Sequence, residues 1–196
     1  MEAPLGASPP NIANPSLVKP GTIAAMAHSK QVNRTIELSI HEVYEVVSGE
    51  RFLLTDEGMV EKSDSQIVEA KRKELPDGRV WARVGVRASQ KELEELSEDR
   101  TKPLAFQETY VSQPDEEGAF EATSTMELPM GMGTMETRFI YAAADSDLTT
   151  VEAILTAKAS IPLISGKLEK HLLKTSDKVV DDSLARIRNL SVTEAQ

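Results

Sequence analysis

VEAILTAKASIPLISGKLEKHLLKTSDKVVDDSLARIRNL, residues 151–190, is the stretch that decides the fold. Its first part alternates with period two, so Val151, Ala153, Leu155, Ala157, Ala159 and Ile161 share one face of a strand running from Val151 to Ile161. Most of these side chains are small, which lets a second element approach the sheet closely. The sequence supplies that element at once. After Pro162 and Gly166, residues 167–190 contain neither proline nor glycine, which predicts one helix about 36 Å long at 1.5 Å per residue. At about 100° per residue, Leu168, Leu172, Leu173, Val179, Val180, Leu184, Ile187 and Leu190 cover an arc of about 160°. Ser176 and Ser183 lie near its middle. Small polar side chains there either permit close packing, the simpler reading, or face a cavity.

Working outward, the chain before this stretch reads as strands. Ile36, Leu38 and Ile40 alternate with polar residues from Arg34 onward, as in a half-buried strand. Residues 41–56 have helical spacing interrupted by Gly49, which predicts two short helices. Val68 to Leu75, a Pro76-Asp77-Gly78 turn, and Val80, Ala82, Val84 and Val86 alternating with Trp81, Arg83, Gly85 and Arg87 form a hairpin. Lys91 to Arg100 is heavily charged and reads as an exposed helical connection or a lid. Phe106–Val111, Phe120–Leu128 and Met135–Ala142 are three further strands. The fold class is therefore α+β. The expected architecture is a curved antiparallel sheet of about six or seven strands wrapped around the long C-terminal helix, with two short helices after the first strand. Pattern alone leaves other α+β arrangements open.

Composition narrows the function. The 196 residues carry 22 Lys plus Arg against 32 Asp plus Glu, a formal charge of −10, which argues against nucleic acid as a partner. There is no cysteine, so disulfides, thiolate metal sites and cysteine nucleophiles are excluded, and a reducing cytoplasm is a compatible location. No apolar run approaches the roughly 20 residues of a transmembrane helix. Residues 1–29 hold five prolines and read as a disordered tail; Met26 offers an alternative translation start. Residues 30–190 are expected to form a single domain and 191–196 a flexible C-terminus.

The strand-to-helix junction, Ala159-Ser160-Ile161-Pro162-Leu163-Ile164-Ser165-Gly166-Lys167-Leu168-Glu169-Lys170, resembles that of the bacterial family called domain of unknown function 2505. That family lies within the START-like (SRPBCC) superfamily of helix-grip proteins. Ser165 stands where the family pattern has the first of two glycines. The Met26-Ala27-His28 opening is also similar, so the likeness spans residues 26–190. The resemblance implies a helix-grip fold and, by superfamily analogy, a hydrophobic cavity; it carries no reaction and no catalytic residues. On local physics, Pro162 ends the strand and Glu169, read as first-turn, compensates the helix dipole, with contact to a ligand head group as the alternative. Gly166-Lys167 is no phosphate loop, because Ile161 and Leu168 occupy positions where that motif needs Gly and Ser or Thr.

The remaining chemistry is sparse. His28, His41 and His171 show no metal-ligand spacing, and no nucleophile elbow is present, so no metal, cofactor or catalytic residue is expected. Met126, Met130, Met132 and Met135 cluster around Pro129, Gly131 and Gly133, as an adaptable apolar rim at a pocket mouth or as a turn with inward-packed methionines. Alternation puts Phe106 with Tyr110, and Phe139 with Tyr141, on common faces that suit a concave sheet. The expected cavity lining is Phe106, Tyr110, Phe120, Met126, Met130, Met132, Phe139, Tyr141, Leu172, Ser176, Val179 and Ser183. The preferred function is binding or transport of a hydrophobic small molecule, lipid or polyketide-like, by a cytoplasmic protein. A cyclase or aromatase-like enzyme and a ligand-free interaction module are the alternatives.

Overall fold

The computed structural model describes residues 28–61, 65–87, 105–127, 133–160 and 165–194. In chain order the elements are β1 (His28–Ile36), α1 (Ile40–Ser48), α2 (Glu50–Leu54), β2 (Gln66–Glu74), β3 (Val80–Arg87), β4 (Ala105–Val111), β5 (Phe120–Glu127), β6 (Gly133–Asp145), β7 (Leu148–Ala159), α3 (Ser165–Leu173) and α4 (Ser176–Glu194). The strands form one seven-stranded antiparallel sheet in the order β1-β7-β6-β5-β4-β3-β2. The two short helices carry the chain from one edge of this sheet to the other, and the C-terminal helices lie against its concave face. This is the helix-grip fold.

Local chemistry sets the boundaries. The first strand ends at Ile36, earlier than the alternation of Leu38 and Ile40 suggests, because Ser39 and Glu42 form a capping box. The Ser39 backbone donates to the Glu42 carboxylate at 2.9 Å, and the Glu42 backbone donates back to the Ser39 hydroxyl at 3.3 Å. Ile40 therefore opens α1, which buries Val43, Val46 and Val47. The Pro76-Asp77-Gly78 turn closes the β2–β3 hairpin as expected, with Gly78 at φ 80°.

The predicted single helix is two helices. The Lys174 backbone N–H donates to the His171 carbonyl at 3.1 Å, a tightened last turn, and the second ladder restarts with the Val179 N–H on the Thr175 carbonyl at 3.0 Å. Thr175, Ser176 and Asp177 are poor helix formers in succession, since their side chains compete for backbone groups. Ser176 does so here: its hydroxyl, fully buried, donates to the Leu173 carbonyl at 2.7 Å. The second helix also continues to Glu194, through residues expected to be flexible.

Register places the core. Val32, Ala153, Phe139, Ala122, Val111 and Val80 are successive neighbours across six strands on the concave face. Ala153, Leu155 and Ala157 of β7 are fully buried beside Leu173, Val180, Leu184, Ile187 and Leu190 of the helices, so the small-residue face does admit a close-packed helix. Lys30 and Arg34 of β1 reach Asp177 and Asp181 of α4 at 2.6 and 2.7 Å and fix the helix along that edge.

Candidate functional site

With α4 seated toward β1 and β7, the concave face of β4, β5 and β6 is left partly uncovered. The gap is a pocket of about 460 Å³ between those strands, α2, the residues following α2, and α4. Its walls are largely apolar: Phe52 and Leu53 from α2, Met59 and Val60 from the next loop, Met126, Met135, Phe139 and Tyr141 from the sheet, and Val179 from α4. Its floor is polar. Thr109, Ser124 and Thr137 are cross-strand neighbours on β4, β5 and β6, with Gln107 one pleat away, and the Thr109 hydroxyl donates to Ser124 at 3.2 Å. Ser183, Asp182 and Arg186 add polar groups from the helix side. A hydrocarbon wall over a row of hydroxyls suits a molecule that is mostly apolar and carries a few oxygen functions.

At the deep end, Tyr141 is fully enclosed and stacks on Phe120 at 4.6 Å between ring centroids and on Phe139 at 5.9 Å. Burial pushes its phenol well above the usual tyrosine range. Glu61 and Asp182 both border the pocket and both bond Lys178, at 3.3 and 2.7 Å.

Of the expected lining residues, Met126, Phe139, Tyr141, Val179 and Ser183 come together at this pocket. Phe120 belongs to the core beyond it, stacked on Tyr141 and meeting Tyr44 edge-on at 5.1 Å. Phe106 and Tyr110 are on the opposite, convex face. Gln107 and Thr109 point inward, so their neighbours on β4 point outward, where Arg83 covers the Phe106 ring at 4.3 Å and Arg79 lies 5.8 Å from Tyr110. Ser176 caps the helix break instead of facing the pocket. Met130, Met132, the Leu172 side chain, the Lys91–Arg100 segment and residues 1–27 lie outside the described residues.

Glu169 has a structural partner set. It is the fifth residue of α3, past the first turn, and is 1 % exposed. One oxygen accepts the Ala159 backbone N–H at 3.0 Å, and the other lies 2.5 Å from His28 Nδ1. The carboxylate thus clasps the ends of β1 and β7 to α3. The Ala159 N–H, then His28, hold its pKa below the usual carboxylate range against the opposing effect of burial. The sequence offers no sign of the pocket's hydroxyl row or of Arg186. The row becomes visible only with the parity of β4, which its aromatic residues suggest in reverse.

Among the described residues no helix is long and apolar enough to cross a membrane. Several solved structures share the fold. TTHA0849 from Thermus thermophilus superposes with a TM-score of 0.55 at 18% identity, covering 86% of this chain and 99% of its own. The Zhui aromatase/cyclase from a Streptomyces species gives 0.53 at 11% identity over 87% and 97% of the two chains. Norcoclaurine synthase from Thalictrum flavum gives 0.52 at 10% identity over 89% and 100%. At these identities the likeness is one of fold. No curated protein matches the sequence. The family described as protein of unknown function, DUF2505, matches residues 31–189, and the chain, with its seven-stranded sheet gripping a C-terminal helix, belongs to that family.

Proposed function

We propose that this protein is a cytoplasmic binding protein for a hydrophobic small molecule, lipid or polyketide-like, held between β4–β6 and α4. The observation that carries the reading is the pocket itself: about 460 Å³, within the range of small-molecule sites, with apolar walls and a floor of three neighbouring hydroxyls. Burial of ligand hydrocarbon supplies the drive, about 0.8 kcal/mol per methylene, and the hydroxyl row orients the oxygen functions. Fold neighbours whose names are those of cyclases and synthases of small organic molecules support a cavity of this kind in the fold.

The test is native mass spectrometry of protein purified from its own host, beside a variant with the pocket filled, Ser124→Phe. The wild type is expected to carry a small apolar molecule and the variant to lose it while keeping its fold by circular dichroism. An adduct retained at the same level by the variant overturns the site. A wild type that emerges without any small molecule and also fails to take up apolar probes overturns the function.

A further inference from the structure

Arg186 is the charged group of the pocket that the fold leaves without a counter-ion. It donates from Nε to the Glu57 carbonyl at 2.8 Å and from Nη2 to the carbonyls of Arg51 and Thr55 at 3.0 and 2.7 Å. Its guanidinium carbon lies 4.7 Å from the centre of the Phe52 ring. All three acceptors are neutral carbonyls, so the positive charge stays whole in a half-buried place. The two Nη1 hydrogens have no acceptor among the described residues. The surrounding carboxylates are engaged elsewhere: Glu57 by Arg51 at 2.9 Å, Asp182 by Lys178 at 2.7 Å, and Glu61 by Lys178 at 3.3 Å. Asp56 and Glu57 contribute only a longer-range attraction, with no ion pair to Arg186. One turn back on the same helix wall, the Ser183 hydroxyl also makes no hydrogen bond among the described residues, and it borders the same pocket.

A half-buried guanidinium is costly unless it meets an anion, and this one is held rigidly by three carbonyls with one end free. A fixed, partly desolvated Arg with open N–H groups is the arrangement that binds a carboxylate by charge-assisted hydrogen bonds. Resting on the proposed function, we infer that the bound molecule is an amphipath with a carboxylate head, which Arg186 Nη1 and Ser183 receive while the apolar body lies along Phe139, Met135 and Val179. The ligand class narrows from hydrophobic molecules in general to carboxylic acids of medium chain or ring size.

Decanoate and 1-decanol, equal in chain length, separate the two claims by calorimetric titration at pH 8 and low salt. The wild type is expected to bind decanoate at least about tenfold more tightly than 1-decanol. Arg186→Gln should lose about tenfold for decanoate and little for 1-decanol, whereas Arg186→Lys, which keeps the charge, should retain part of the preference. Because Arg186 also ties α4 to the loop after α2, each variant's melting curve is recorded; the wild-type comparison needs no variant. Equal affinity of the wild type for acid and alcohol overturns the carboxylate assignment while leaving the pocket as an apolar site. Binding of neither overturns both.

Discussion

Val179 and Val180 are adjacent on α4 yet face different surroundings, so the same truncation at each measures whether the pocket is open in solution. Val180 is fully buried in the core, whereas Val179 is 37% exposed and borders the pocket. Val→Ala removes two methyl groups, about 1.6 kcal/mol of transfer energy when fully buried, and at Val180 a cavity cost of about 0.5–1 kcal/mol is added. At Val179 only about two thirds of that surface is buried, giving about 1 kcal/mol. No cavity cost arises there, since the lost volume merges with space already empty. Alanine's better helix propensity returns about 0.5 kcal/mol at both sites and cancels in the comparison. Val180→Ala should therefore cost about 1.5–2 kcal/mol and Val179→Ala about 0.5 kcal/mol. In urea, with a slope of about 2 kcal/mol/M, the two midpoints should differ by about 0.6 M. Val179→Ala should in addition change affinity for decanoate, and Val180→Ala should not. Equal losses of stability would mean that Val179 is packed as tightly as Val180 and that the pocket is closed, and the ligand-binding argument would go with it.

Glu169→Gln tests the clasp. Because Glu169 titrates below the usual carboxylate range, its contribution is fully present above about pH 4.5 and is lost as pH falls through the lowered value. Wild-type stability should thus fall more steeply than that of the variant between about pH 5 and 3, and parallel profiles in urea would refute the clasp. Gly133 sits at φ 143° where an added Cβ would come within 2.0 Å of the Lys158 carbonyl, so Gly133→Ala should cost about 2–3 kcal/mol; a loss under about 0.5 kcal/mol would show that the β6–β7 register differs. Tyr141, enclosed and pushed upward, should stay protonated in the folded protein at pH 11, so Tyr141→Phe should leave the tyrosinate absorbance at 295 nm unchanged; a one-third drop among the three tyrosines would contradict its burial.

The sheet's two anchors are legible in the sequence. The small face of β7 and the valine face of β3 both alternate without a competing signal, and Gly78 pins the hairpin between β2 and β3. The parity of β4 is not legible, and this has consequences for the site. A strand with Phe106 and Tyr110 on one parity and Gln107 and Thr109 on the other reads as burying its aromatics. In the fold, guanidinium groups from β3 and its turn cover those rings on the convex side, which reduces the cost of exposing them. A short turn would have fixed the register of β4 against β3 from sequence. The two strands are instead separated by residues 88–104, too many for turn chemistry to decide.

The helix shows why the apolar stripe locates the core and only the margin of the site. At about 100° per residue, Val180, Leu184 and Ile187 centre on one direction and are the residues that seat α4. Asp177 and Asp181 lie about 55–95° to one side of that direction, toward Lys30 and Arg34, and Ser183, Val179 and Arg186 about 65–125° to the other side. The ion pairs pull the helix toward one edge of the sheet, so space opens under the opposite flank, where β4 and β5 offer Thr109, Ala122 and Ser124 and fill little of it. Val180, Leu184 and Ile187 mark the packed face of α4. The pocket lies where that packing stops, at the boundary of the packed face, and so its lining mixes Val179 with Arg186 and with Ser183, a small polar residue within the apolar arc. The same geometry makes Arg186 informative: a cation at that boundary is close enough to solvent to be tolerated and close enough to the cavity to choose what enters it.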